Sequence, residues 1–103
     1  MSSTTLEKLQ SRFNPEAAKG MNEVFQFHFS DAGSHYLDIQ DGTLGVHEGE
    51  HDDPSVSLSM STDTLKGIMN GDINGRTAFM TGKLKATGNV MLATKLTSLF
   101  PSQ

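Results

Sequence analysis

The sequence predicts an α+β domain: a five-stranded β-sheet with one face covered by helices; the hydrophobic cavity expected between them rests on a resemblance given below. Three observations predict it. Three consecutive stretches between residues 23 and 46 alternate apolar and polar side chains, and their apolar rows fall side by side across two hairpins. Stretches with apolar residues at helical spacing stand at both ends of the chain and before the last strand. A sheet that is apolar on one face needs a helical cover on that face.

Composition bounds the answer. At 103 residues the chain buries roughly two thirds of its unfolded surface, which allows one core, so residues 1–103 are read as one domain. No run of apolar residues approaches a membrane span. Met1 to Thr5 is polar, so no secretory leader is expected, and Pro101-Ser102-Gln103 is not a peroxisomal address of the Ser-Lys-Leu type. Without cysteine there is no disulfide framework and no thiolate chemistry, which fits the reducing cytoplasm, the expected location. Twelve acids against eight bases leave a net charge of −4. That argues against general nucleic-acid binding and against lasting attachment to anionic lipid through charge alone.

Residues 4–19 read as helix with a break near Asn14-Pro15. Leu6, Leu9 and Phe13 share a face, and Pro15 suits the first turn of a fresh helix capped by Asn14. This segment is expected to be a lid on the core; a membrane-surface anchor would carry more lysine and arginine on its polar face. Residues 23–30 form the clearest strand, with Phe25, Phe27 and Phe29 on one face and Gln26 and His28 on the other. Asp31-Ala32-Gly33 reads as a three-residue hairpin loop, which sets Phe29, Phe27 and Phe25 opposite His35, Leu37 and Ile39. Asp41-Gly42 is a two-residue turn whose central positions want positive φ, and it sets Leu44 beside Ile39 and Val46 beside Leu37.

Residues 49–54 are a polar loop. Val56, Leu58 and Met60 then alternate with serines in a fourth strand, and Ser61 or Thr62 caps a helix carrying Leu65, Ile68 and Met69. Residues 70–75 are a loop and residues 76–81 a short helix, with Phe79 and Met80 as its last apolar turn. Gly82 stands where a left-handed cap is wanted, since glycine takes that conformation without a Cβ penalty. Leu84 and Ala86 alternate with Lys83, Lys85 and Thr87 in the fifth strand, Gly88 closes it, and Asn89 is placed to cap the final helix. That helix carries Leu92, Leu96, Leu99 and Phe100 and stops at Pro101.

The run Ala78-Phe79-Met80-Thr81-Gly82-Lys83-Leu84-Lys85-Ala86-Thr87-Gly88-Asn89 resembles the signature of the sterol carrier protein type 2 family. Residues 58–65, Met69-Asn70-Gly71 and Ala93-Thr94-Lys95-Leu96 resemble the same family, so the likeness runs from about Val56 to Phe100. It implies the same fold and a lipid held in a hydrophobic tunnel between sheet and helices. Family members often carry glutamine where Thr81 stands and tryptophan where Tyr36 stands.

The space between sheet and cover would be lined by Phe25, Phe27, Phe29, Leu37 and Ile39 from the first hairpin and by Leu44 and Val46 from the third strand. Leu58, Met60, Ile68 and Met69 follow, then Phe79, Met80 and Leu84, and last Met91, Leu92 and Leu96. Four of these are methionines, whose flexible thioether chains adapt to irregular ligands. A packed core is the default, because an empty void costs on the order of 24 cal/mol per Å³. With the resemblance, the expected function is non-enzymatic binding of a sterol, fatty acid or fatty acyl-CoA in that tunnel, for transfer or for storage. The partners expected are that lipid and transient membrane contact, but no nucleic acid, and the chain is expected as a monomer or weak dimer. Thr81, His35 and Gln26 are candidate polar anchors. The alternatives are a dimeric interaction module with a filled core, or a small enzyme acting on a hydrophobic substrate.

Other constellations are weaker. The first-hairpin register above puts His28, Tyr36 and His47 in one row on the polar face, with the histidines roughly 9–10 Å apart, too far to share a metal. His47-Glu48-Gly49-Glu50-His51-Asp52-Asp53 reads as a solvated acidic turn. Asn70-Gly71-Asp72-Ile73-Asn74-Gly75 imitates half of a calcium loop but has Thr81 where the bidentate glutamate belongs. No acid falls on the apolar face, and no motif calls for a cofactor or a nucleophile–base pair.

Overall fold

The phenylalanine row makes the first strand the centre of the sheet. A computed structural model describes Glu7 and residues 9–101, apart from the side chain of Thr97. Strand β1 (Asn22–Phe29) pairs antiparallel with β2 (Gly33–Gln40) and parallel with β4 (Val56–Met60). With β3 (Thr43–Glu48) and β5 (Lys85–Gly88) at the edges, the order is β3-β2-β1-β4-β5. Helices α1 (Thr62–Asn70) and α2 (Gly75–Met80) connect β4 to β5. A 3₁₀ segment (Val90–Lys95) and the short helix α3 (Leu96–Leu99) follow. Among the described residues no helix is long and apolar enough to cross a membrane.

Alternation decides which face is buried. Phe25, Phe27, Leu37, Ile39, Val56 and Leu58 are fully enclosed between the sheet and its cover. Each contributes about 1.5–3 kcal/mol from burial. The Asp41-Gly42 turn sets the expected register, Ile39 opposite Leu44 and Leu37 opposite Val46, because both turn residues take positive φ (44° and 84°).

The first hairpin differs from its expected register by two residues. Phe29 pairs with Gly33, Phe27 with His35 and Phe25 with Leu37. The loop is Ser30-Asp31-Ala32, and Gly33, at φ 78°, already belongs to β2. Glycine at that position lets the chain reverse early. Both Asp31 carboxylate oxygens are held by Thr62, from its N–H (3.0 Å) and its hydroxyl (2.7 Å). A slip of two leaves every side chain on its own face, because the period of a strand is two. It does change the outer rows: His28 now meets Ser34, whereas Gln26, Tyr36 and His47 share a row.

Helix α1 starts as expected, with Ser61 Oγ accepting from the Thr64 N–H at 3.1 Å, and ends at Gly71 with φ 82°. Four other boundaries move. Residues 15–20 form turns with i→i−3 bonds rather than a fresh helix, and the described helical residues before the break are 7 and 9–11; the start at Thr4 and Leu6 lie outside the described residues. Helix α2 begins one residue early because Asn74 caps it, accepting from Arg76 and Thr77. Strand β5 begins at Lys85, since the Leu84 N–H is taken by the Ala78 carbonyl (3.0 Å) and draws the chain back to α2. Asn89 makes no side-chain cap; its N–H goes to the Ser55 carbonyl (2.9 Å), and the expected final helix opens as 3₁₀.

The N-terminal segment is stitched to both ends of this frame. Arg12 Nη1 donates to the Met69 carbonyl at 2.8 Å, where α1 ends and its carbonyls lack partners. The Asn14 N–H donates to the Leu99 carbonyl (2.8 Å), and the Phe13 and Phe100 rings lie 5.7 Å apart. At the other end, Gly42 and Asp41 donate to the Ala18 and Met21 carbonyls.

Candidate functional site

The apolar face of the sheet is not covered evenly. Over β1 and β2 the cover is tight. At the β4–β5 end, α1, α2 and the 3₁₀ segment stand apart and leave a cleft of about 730 Å³. A volume of this size lies within the range of small-molecule sites. Met60 and Ala86 reach it from β4 and β5, and Leu65, Ile68 and Met69 from α1. Ile73 and Phe79 form the α2 side; Val90, Met91, Ala93 and Leu96 the opposite side; Leu9, Leu84 and Phe100 close it. Asn74, Arg76 and Thr94 add polar groups. Among the described residues no carboxylate or histidine lines it.

Seven of the residues assigned to the interior from sequence meet in this cleft: Met60, Ile68, Met69, Phe79, Leu84, Met91 and Leu96. The other ten lie elsewhere. Phe25, Phe27, Phe29, Leu37, Ile39, Leu58 and Leu92 are packed in the core. Leu44 and Val46 are half-buried at the β3 edge, and Met80 points outward, 79% exposed. Phe79 and Met91 are more than half exposed although they line the cleft, so they form its rim. Helical spacing reveals Leu65 as a neighbour of Ile68 and Met69, and Phe100 as a neighbour of Leu96. No periodicity signals Ile73, which enters from the α1–α2 turn.

The three candidate anchors do not reach the cleft. Thr81 Oγ1 donates to the Thr77 and Ala78 carbonyls, at 2.9 and 3.3 Å. Gln26 lies on the outer face, yet it is 1% exposed, because the loop from β3 to β4 crosses over it. Its Nε2 donates to the carbonyls of His35 (3.1 Å), Gly49 (3.0 Å) and Phe27 (3.3 Å), and its Oε1 accepts from the His51 N–H (2.7 Å). Gln26 therefore fixes the crossover. His35 belongs to the core face, 6% exposed beside the Phe29 ring, and its Nδ1 has no partner.

The remaining constellations hold structure. Tyr36 stacks on His47 (5.0 Å between centroids) and meets His51 edge-on (5.2 Å), bracing the same crossover. Asn74 of the calcium-like stretch serves as the cap of α2. Among the described residues no three His, Asp or Glu side chains gather to hold a metal.

Residues 4–101 match the SCP-2 sterol transfer family. The chain is 35% identical over 98 residues to hydroxysteroid dehydrogenase-like protein 2 of Bos taurus, a match that covers 92% of this chain and 23% of that protein. It therefore spans about a quarter of that relative's length. It is 36% identical over 90 residues to a fatty acid-binding protein of Yarrowia lipolytica, covering 82% of this chain and 70% of that one. The solved apo structure of sterol carrier protein 2 from Yarrowia lipolytica superposes with a TM-score of 0.69 at 28% identity, over 98% of this chain and 90% of that one. With the five-stranded sheet, its helical cover and a family match across nearly the whole length, the chain belongs to the SCP-2 sterol transfer family.

Proposed function

We propose that the domain is a non-enzymatic lipid carrier that seats the hydrocarbon of a fatty acid, fatty acyl-CoA or sterol in the cleft between α1, α2 and the 3₁₀ segment. One observation carries this reading: an apolar cleft of about 730 Å³ opens where the sheet's cover parts. Membership of the family and the likeness to a fatty acid-binding protein support it. The ligand contacts are Met60, Leu65, Ile68, Met69, Ile73, Phe79, Leu84, Met91 and Leu96. The single lipid-carrier domain works as a monomer or weak dimer, and the cytoplasm is its proposed setting.

The energetics suit a carrier. Each buried methylene contributes ~0.8 kcal/mol, so a long chain gains roughly 10 kcal/mol gross. Association and ordering offset much of that and leave affinity near the micromolar range, tight enough to hold and weak enough to release. Arg76 is the one charged side chain in the lining among the described residues, and it favours an acidic head over a neutral one.

Native mass spectrometry of gently purified protein, followed by titration with a fluorescent fatty acid, tests the reading. A copurifying lipid and saturable binding are expected. Ala93→Trp, which fills the cleft, is expected to weaken binding at least tenfold while the fold persists. No bound lipid and no saturable binding of fatty acid, acyl-CoA or sterol would overturn the proposal.

A further inference from the structure

We propose that a groove on the outer side of the sheet, where β4 turns into α1, binds the phosphate group of a phosphorylated ligand. The groove measures about 560 Å³ and meets the cleft at Met60, which lines both. Strand pairing builds it. Ser34 stands opposite His28, His28 opposite Ser59, and Ser59 opposite Lys85. One polar row therefore crosses β2, β1, β4 and β5 on the face away from the core. Neighbours in such a row stand about 4.8 Å apart, close enough for adjacent side chains to reach one group. His28, Ser59 and Lys85 line the groove, and Ser30 and Lys83 enter it from the adjoining turns.

These donors are unspent. The Ser34 hydroxyl bonds His28 Nδ1 at 3.1 Å. With that hydroxyl donating, the ring proton sits on Nε2 and is free to donate again. The side chains of Ser30, Ser59, Lys83 and Lys85 have no partner among the described residues. No carboxylate lines the groove among the described residues. The acids nearest in sequence are Asp31 and Asp63, and neither belongs to the lining. Both Asp31 oxygens are already held by Thr62.

Two ammonium groups and several neutral donors around one space call for a compact anion with many acceptors. A phosphate monoester carries roughly −1.5 to −2 charges at neutral pH and three acceptor oxygens. A carboxylate, with one charge and two oxygens, would leave most of these donors idle. Lysines on an edge strand also guard it against pairing with another chain. That role does not explain why Ser59 and His28, from β4 and β1, face the same space. Leu84 joins the two sites: it lines the cleft, and the lysines on either side of it line the groove. A lipid with its hydrocarbon in the cleft would carry a phosphate head across Met60 to these donors. A free phosphate compound offers the same chemistry. The link to the cleft rests on the lipid-carrier reading; the phosphate site does not.

Amide NMR spectra of the full chain, titrated with inorganic phosphate, dodecyl phosphate or dodecanoate, provide the test. Both phosphates are expected to move the amides of residues 28–30, 59–61 and 82–85 saturably, and more weakly as salt rises. Dodecanoate is expected to move cleft amides such as Ile68 and Ile73 and to leave the groove unmoved. Lys83→Gln combined with Lys85→Gln, both outside the cleft lining, is expected to weaken phosphate binding roughly tenfold or more at unchanged dodecanoate affinity. Dodecyl phosphate binding roughly tenfold tighter than inorganic phosphate, with groove and cleft moving together, would assign the group to a lipid head. Equal affinities with the cleft unmoved would assign it to a soluble phosphate compound. Three results would overturn the inference: no saturable shift at the groove with either phosphate, undiminished shifts in the double variant, or groove shifts as large with dodecanoate. Phosphate binding at the groove without any response to dodecanoate would sink the carrier reading and leave the phosphate site standing.

Discussion

The Ile73 side chain lies flat against the Cα of Gly67, in the space that a Cβ there would need. The contact follows from the way α1 ends: Asp72 and Ile73 both donate their N–H groups to the Gly67 carbonyl, at 2.8 and 3.0 Å, which folds the turn back onto the helix. Gly67→Ala in an open helix would add about 0.5–1 kcal/mol of stability. Here overpacking costs about 1–3 kcal/mol and outweighs that gain. A net loss of about 1 kcal/mol in urea unfolding is expected. The displaced Ile73 has the cleft beside it, so fatty-acid affinity is expected to fall with stability, and Ile73→Ala in the same chain to restore both. Unchanged affinity would show that Ile73 finds room elsewhere.

Gln26 holds the crossover from β3 to β4 with every polar atom of its amide in use. Gln26→Leu keeps the volume but removes the acceptor of the His51 N–H and the donor to the His35, Gly49 and Phe27 carbonyls. A loss of about 2–3 kcal/mol in denaturant unfolding is expected, with faster amide exchange at His51. Fatty-acid affinity is expected to hold, because Gln26 faces away from the cleft. A fall in affinity at unchanged stability would contradict this assignment.

His35 keeps an unpartnered Nδ1 in the core. A buried polar atom without a partner costs about 1–3 kcal/mol. His35→Leu removes that atom at similar volume, so the melting temperature is expected to rise by about 4–8 °C, the equivalent of roughly 1 kcal/mol in a domain of this size. A lower melting temperature would mean that the imidazole makes a favourable contact that leucine cannot replace.

Asp31 links the first hairpin to α1. The Thr62 hydroxyl bond, then the Thr62 N–H bond, holds its carboxyl below the ordinary value of 3.8. A depressed folded pKa contributes stability that is complete above the unfolded value and is lost as pH falls through the folded one. Asp31→Asn is therefore expected to lower stability at neutral pH, with a difference from the wild-type chain that shrinks as the solution is acidified below 3.8. Urea midpoints measured across that acid range check it, and a difference that grows on acidification would reverse the assignment.

Several features could be read from the chain because short-range chemistry sets them. Asp41-Gly42 admits one kind of turn, so the β2–β3 register followed directly. Ser61 announced its cap three residues ahead. The first hairpin was less legible, since Asp31-Ala32-Gly33 allows closure at either Ser30 or Phe29, and a contact to Thr62, distant in sequence, accompanies the choice. Gln26 looked like a solvent-facing residue because alternation assigns a face and says nothing about what later crosses it. Phe79 and Met80 looked like core because they read as the last apolar turn of a helix, and that reading does not say how closely the helix end sits on the sheet.

The sequence by itself determined the sheet, its apolar face, the helical cover and the family, because each depends on residue period or on a contiguous motif. Only the tertiary structure decided where along that face a space opens. The enclosed side chains of β1 and β2 share their period with Met60 and Ala86, which reach the cleft. Alternation cannot separate the two groups. Their difference lies in how closely α1, α2 and the 3₁₀ segment approach, and that distance is set by turns such as the one pressing Ile73 onto Gly67.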